Sequence, residues 1–460
     1  MHSFSGLATF DEDFKKMHKF ASLPVENSQQ LIQNLTEIYR IVYHIDFSVY
    51  DVDKVRHSAP KMVKAVFNLR LKLHDQIPHW NTRGILSLNA QKALRSVFRV
   101  LRYTVDILGE LVIGFTRLED HEASYRAFTG HPLCTLFHPS FDHEEEVKFC
   151  TGDVLLVRGS LHNSAAIARI GDMDSQFSHI SIIHKDLAGK FWVIESLIER
   201  GAVISPLDEA LDHGLARAIL LRHKNKSLAK DAAQMIYNRV MLSQTGKTVP
   251  IPYDFSMKLD GYDQLYCSKL IRQAFDEASG GKVKLPTFMT QLDMKNRDFL
   301  NRIGVTAKKT FAPGDMEIEP TFDIVAEWRD YRQTSHLRLQ DMIMTKFFEW
   351  MDAYNYKFKE DMLMHLIGVF GKASSYLSKS AKSLLDDLMP SVPSHMSRRT
   401  ISTIAMLYSS GEEVLGALKQ LEHESIAKTG RPLHPRDIFE HLEYIRQTSD
   451  GRLGYLIEHR

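Results

Sequence analysis

Cysteine is scarce in this chain, with three residues in 460. That excludes a disulfide scaffold and fits a reducing compartment. Net charge is almost absent too, at +1, so nothing in the balance announces nucleic acid or an acidic tail. No window approaches 18 uncharged apolar residues, and the most apolar stretch, TVDILGELVIGFT, is interrupted by Asp106 and Glu110. The opening MHSFSGLATFDEDFKKMHKF has no apolar core of signal-peptide length and carries acids early. Internal repeats, low-complexity tracts and a Gly-rich phosphate loop between strand and helix are missing as well. These absences predict a soluble, cytoplasmic protein without a cofactor. Export by a route that needs no such signal stays open.

What is present is ordinary globular material: 44% hydrophobic and 25% charged residues, enough core for two or three domains at this length. The periodicity changes twice. Residues 27–119 read as helical, with Asn27 as a cap before Leu31, Leu35, Ile38, Val42 and Ile45. Ser58 and Pro60 are expected to open a second helix, and a third runs over 88–115. Between 147 and 222 the texture turns β-like: DVLLV, HISIIH, KFWVIES and RAILLR are short apolar runs separated by turn residues. A helix then follows, with Ser227 as its expected cap and Gly246 past its end. From Phe322 onward the chain reads as helical again, with breaks at 389–394 and 429–435. The expectation is an α+β unit over 147–312 between helical regions 1–146 and 313–460, which either pack together as one domain or stay separate.

The stretch DQLYCSKLIRQAFDEA, 263–278, places Cys267 at the head of an amphipathic helix whose apolar face is Leu270, Ile271, Ala274 and Phe275. A packed structural cysteine occupies such a position. So does a nucleophilic thiol, because the helix dipole and the unpaired N–H groups of the first turn favour a thiolate and then an oxyanion. A thiol nucleophile also needs a base. His179 begins one β-like run and Glu195 ends the next, so two adjacent antiparallel strands would set them side by side with the acid orienting the imidazole. Read alone, each is equally a polar residue at a strand end.

Taken together, GDVLLVRG, FSHISII, FWVIES with GAVISPLDEAL, and YDFSMKLDGYDQLYCSKLI resemble the circularly permuted papain-like hydrolases of the YiiX/YaeF type, within the NlpC-type superfamily. Unpermuted members carry the cysteine motif before the histidine; here YCSKLI follows it, as permutation requires. The resemblance covers about residues 147–310 and leaves the helical flanks unaddressed. It implies a permuted papain-like α+β fold, an antiparallel sheet plus helices. It further implies Cys267 as nucleophile, His179 as base, Glu195 as third polar residue and Gly152–Asp153 as the opening of the first core strand. Tyr253, Asp254, Tyr266 and Asp153 become expected pocket or supporting residues. Lys269 stands where the unpermuted motif has glycine. The implied activity is a cysteine amidase or peptidase acting on a peptide, isopeptide or N-acylated amine. A lipid-directed acyltransferase or thioesterase with the same residues, and a catalytically silent binding module, remain as alternatives.

Two other stretches carry weaker signals. HPLCTLFHPSFDHEEE gathers His131, Cys134, His138 and His143, but the spacing fits no standard zinc site and two prolines suggest a rigid surface connection. Cys150 reads as a packed small hydrophobe. The stretch 370–389 sets Lys372, Lys379 and Lys382 beside Tyr376, Leu377, Leu384, Leu385 and Leu388. That pattern serves a bundle helix or peripheral contact with an anionic membrane. No metal is expected, and the oligomeric state is not legible.

Overall fold

The computed structural model describes residues 6–44, 51–113, 125–128, 130, 132–141, 147–212, 214–360, 364 and 396–459. His131, His143, and the 370–389 stretch with its lysines lie outside them. Five helices come first: α1 (Gly6–Ser22), α2 (Ser28–Tyr43), α3 (Val52–His74), α4 (Ile77–Thr82) and α5 (Leu88–Ile113). Asn27 caps α2 by accepting from the Gln30 N–H at 3.0 Å, and Leu31, Leu35 and Ile38 are buried. α3 departs from expectation. It starts at Val52, because Asp51 accepts from the N–H groups of Asp53 and Lys54. Pro60 therefore sits inside the helix. Burial of Val55, Ala59, Met62 and Val63 along that stretch offsets the backbone hydrogen bond a proline removes.

The central sheet has seven strands: β1 (Thr135–Phe137), β2 (Val154–Gly159), β3 (His179–Lys185), β4 (Phe191–Leu197), β5 (Gly201–Pro206), β6 (Leu215–His223) and, after the short pair β7 (Thr290–Gln291) and β8 (Lys309–Thr310), β9 (Phe322–Arg329). Its order is β1-β9-β6-β2-β3-β4-β5, and every pairing is antiparallel. Three small helices are interspersed: α6 (His162–Ile167), α7 (Leu207–Asp212) and, further on, α10 (Arg297–Arg302). Helices α8 (Lys226–Gln244) and α9 (Cys267–Ala278) pack on each other and on β3 and β4. The cap of α8 is Asn225, accepting from the Leu228 N–H at 3.1 Å, and not Ser227. Asparagine at this position reaches the first turn from outside the helix, and Ser227 already has helical geometry.

The end of the chain supplies α11 (Tyr331–Ala353), α12 (Arg398–Thr429), α13 (Pro435–Thr448) and a three-stranded sheet of β10 (Tyr356–Phe358), β11 (Arg452–Leu453) and β12 (Leu456–Glu458). Two stretches read as helix or surface connection thus belong to the central sheet. FDIVAEWR is β9, paired on both sides by β1 and β6. Its charged Glu327 and Arg329 are fully buried, which hides the alternation a half-exposed strand would show. Residues 135–137 form the edge strand β1, directly after a fully buried Cys134.

The charges in β9 have partners on α5. Arg102 Nε donates to Glu327 at 3.1 Å, and its other nitrogens reach Gln176 and Glu317. Asp106 accepts from Arg217 of β6 and Arg329 of β9. Glu110 takes both guanidinium nitrogens of Arg338 from α11, at 2.7 and 2.9 Å, and Arg338 also reaches Glu422 of α12. Residues 102, 106 and 110 recur at i, i+4, i+8, so they form one stripe along α5. The two acids that interrupt the apolar run TVDILGELVIGFT are the buried anchors joining N-terminal helices, sheet and C-terminal helices. No described helix is long and apolar enough to cross a membrane.

Candidate active site

β3 begins at His179 and pairs with β4 so that Ile182 faces Ile194. Extending that register sets Ser181 opposite Glu195, and His179 falls diagonally across from the acid on the same side. The imidazole donates from Nε2 to Glu195 Oε2 over 2.7 Å. With Nε2 engaged, the other ring nitrogen remains for the Cys267 thiol, which lies near enough to raise the imidazole pKa. The side chains of His179 and Glu195 keep 23% and 13% of their surface exposed, so a bound molecule can reach them.

Cys267 is the first residue of α9. Tyr266 is the N-cap residue and its side chain makes no capping hydrogen bond, so the first-turn N–H groups stay available beside the thiol. The electrostatics follow from this arrangement. Burial disfavours an imidazolium, but the Cys267 and Glu195 side chains, as acceptors and as negative charges, outweigh it. Together they raise the His179 pKa from 6.5 to about 10. The other cysteines differ. Burial, helped by the charge of Asp330, pushes the Cys134 thiol up to about 12. Cys150 is exposed, contrary to the packed position expected for it, and burial of its sulfur together with Asp153 raises its pKa.

The remaining expected site residues divide. Tyr253 lies close: the backbone on either side of it pairs with Leu265, two residues before the cysteine. Burial first, then the charge of Cys267, holds its phenol well above the usual value. Asp254 does not face the thiol. It accepts from Lys269 Nζ at 2.8 Å, and from the Ser256 N–H and hydroxyl. Lys269, two residues into the helix, is buried and also donates to the Asp260 carbonyl at 3.1 Å. The lysine in the glycine position of the motif thus ties the preceding loop under the helix start. Tyr266 is turned to the same supporting task, its hydroxyl 2.7 Å from that of Thr310. Asp153 is remote. The β2–β3 ladder sets Val157, four residues along, opposite His179. Both Asp153 oxygens are held by Arg222 at 2.7 Å, and one also accepts from the Cys150 N–H.

Two serines beside the candidate residues make supporting contacts. Ser196, next to Glu195, donates to the Leu265 carbonyl at 2.6 Å and links the acid's strand to the segment carrying Cys267. Ser178, next to His179, accepts from the Gly159 N–H at 3.3 Å. Adjacency to a candidate residue is the one signal the sequence offered for them. In the former zinc candidate, His138 Nδ1 accepts from the Ser140 N–H at 3.0 Å. Among the described residues, no group of three or more metal-ligating side chains gathers.

Comparison with known proteins gives one result. Residues 148–325 match the family described as permuted papain-like amidase enzyme, YaeF/YiiX, C92 family. The match covers the sheet from β2 into β9 and includes His179, Glu195 and Cys267. This region has the permuted papain-like α+β fold, and its likeness is to a family of amidases. Neither the curated proteins nor the solved structures gave a match.

Proposed function

We propose that the protein is a cysteine amidase whose nucleophile is Cys267, with His179 as its base and Glu195 holding the base in place. The observation that carries this reading is the Glu195–His179 hydrogen bond, with Cys267 at the start of α9 near enough to raise the imidazole pKa. His179 draws the thiol proton, leaving a thiolate beside an imidazolium. The thiolate attacks the carbonyl carbon of an amide, and its oxygen gains negative charge. The Cys267 N–H, in the uncapped first turn, is placed to stabilise that oxygen. Tyr253, a neutral phenol near the thiol, is the candidate second donor. The C–N bond breaks as His179 returns the proton to the leaving amine, and the acyl group stays on sulfur. Water, deprotonated by His179, then attacks the thioester and releases a carboxylic acid and the thiol.

Glu195 acts through the imidazole. A carboxylate at Nε2 fixes the tautomer and ring angle that put Nδ1 toward sulfur. If an alcohol or amine took the place of water, the same intermediate would give acyl transfer. Iodoacetamide labelling at pH 6–7 tests the reading directly. Cys267 is expected to react at least a hundredfold faster than Cys134, and His179→Ala should erase the difference. Equal rates for the two thiols would overturn the assignment.

A further inference from the structure

A cavity lies where α2, α5, α11 and the start of α13 meet, and none of the three proposed catalytic residues lines it. The space between its walls is about 620 Å³, open mouth included, within the range of small-molecule sites. Rings form much of the wall: Tyr39, Tyr43, Tyr103 and Phe439. Tyr39 and Tyr43 stack with centroids 5.3 Å apart, and His434 meets Tyr43 edge-on. The charged side chains on the wall are unequally engaged. Arg169 is fully buried and pairs with Asp341 at 2.9 Å. Asp174 accepts from Lys295 at 3.0 Å and from Thr345 at 2.8 Å. Arg99 reaches Asp174 at 3.6 Å, too far for a hydrogen bond, and keeps 25% of its side-chain surface exposed. Among the described residues its guanidinium donors are thus left open toward the cavity. Arg436 and Lys346 join Arg99 in favouring negative charge at the Tyr43 hydroxyl, while burial keeps that phenol itself neutral.

We infer that this cavity is an effector site for a small aromatic carboxylate, with the ring among the tyrosines and the carboxylate on Arg99. A guanidinium is the matching fork for a carboxylate, and tyrosine faces and edges favour a flat ring over an aliphatic chain. A neutral ring would cover Arg99 without giving its charge a partner. A polyanion would meet Asp174 beside the same guanidinium. Among the described lining residues, Arg169 and Asp174 alone belong to the matched region 148–325, so the helical regions add this site to the family fold. Its link to the chemistry is the loop into β3. Asp174 stands five residues before His179. Arg102, one turn beyond Arg99 on α5, holds Gln176 and Phe177 of that loop. A bound carboxylate competes with Asp174 for Arg99 and so acts on the segment from which His179 projects. Binding requires nothing of Cys267; the effector role rests on Cys267 being the nucleophile.

Isothermal titration calorimetry with 2-naphthoate tests the site on the full-length protein and on Cys267→Ala. One saturable site of equal affinity is expected in both. 2-Naphthalenemethanol, which lacks the charge, and octanoate, which lacks the ring, should each bind at least tenfold more weakly. Arg99→Gln removes the cation and Val42→Trp fills the space; each should weaken naphthoate binding at least tenfold. No saturable binding, an alcohol or octanoate that binds as well, or unchanged affinity in both variants when they melt like wild type, overturns the inference. The effector role is read from the iodoacetamide rate of Cys267 with and without saturating 2-naphthoate. At least a twofold change is expected in wild type, and none in Arg99→Gln at the same concentration. Binding with an unchanged rate overturns the effector role. A Cys267 no faster than Cys150 in the absence of naphthoate defeats the nucleophile assignment instead.

Discussion

The ionic stripe on α5 and the pair made by His179 and Glu195 use the same kinds of charge for different ends. In the stripe every carboxylate meets an arginine: Asp106 has Arg217 and Arg329, and Glu110 has Arg338. An arginine cannot release its proton, so this charge pattern is fixed at any working pH. At His179 the cation is an imidazole, the acid is partly exposed, and the third member is a thiol. That set can pass a proton among its members. The two regions meet at the loop before β3. Arg102 donates to Gln176 at 2.7 Å and stacks its guanidinium 4.8 Å from the Phe177 ring, two residues ahead of His179. The locked set thus braces the strand end from which the movable set works.

If this division is correct, substitutions in one region should change chemistry at constant stability, and in the other stability at constant chemistry. The largest effect is expected from Cys267→Ala. Turnover of an N-acyl aminomethylcoumarin should fall about 10⁴-fold or more, while the urea midpoint stays near wild type. Retained turnover would end the comparison on the chemical side. Next, Asp106→Asn leaves two buried arginines short of a counter-charge. A loss of about 3–5 kcal/mol is expected from urea unfolding, with the iodoacetamide rate of Cys267 preserved in the folded fraction. A loss below 1 kcal/mol would show that the stripe is not a structural lock.

Glu195→Gln should cost about 10²-fold in kcat/KM, roughly 2.7 kcal/mol of barrier. It also gives the pH test. The His179 pKa is raised, so the proton is bound more tightly in the folded protein. Its contribution to stability is complete below pH 6.5 and disappears as pH rises through about 10. The alkaline fall of activity should therefore lie near pH 10 in wild type and move downward in Glu195→Gln, which loses one of the groups raising the pKa. An alkaline limb unmoved by that substitution would remove Glu195 from the orienting role. The smallest effect is assigned to Ser196→Ala, which cuts the tie to the Leu265 carbonyl. About 1 kcal/mol of stability and a several-fold fall in kcat at unchanged KM are expected. A change in KM alone would argue against positioning.

Local sequence carried much of this. A helix beginning at residue 267 follows from its apolar spacing and the polar run before it. Strands starting at His179 and ending just past Glu195 follow from short apolar runs between turn residues. Those features depend on neighbours a few positions away, and neighbours in sequence are what a pattern records. β9 was not legible, because a central strand buried on both sides has no polar face to alternate with. Nor was the start of α3, where capping by Asp51 overrode the signal of Pro60. Nor was the meaning of Lys269, whose partner Asp254 is fifteen residues back on a loop.

By itself the sequence determined that a cysteine would head an amphipathic helix and that a histidine and an acid would border consecutive strands. Tertiary structure alone decided which charges are locked and which can move, since that depends on counter-charges as far away as Arg329 from Asp106 or Glu422 from Arg338. It also decided that α2, α5, α11 and α13 meet around a cavity bordered by Arg99. Burial and the sign of a neighbouring charge are properties of the folded surroundings, and chain elements remote in sequence supply them.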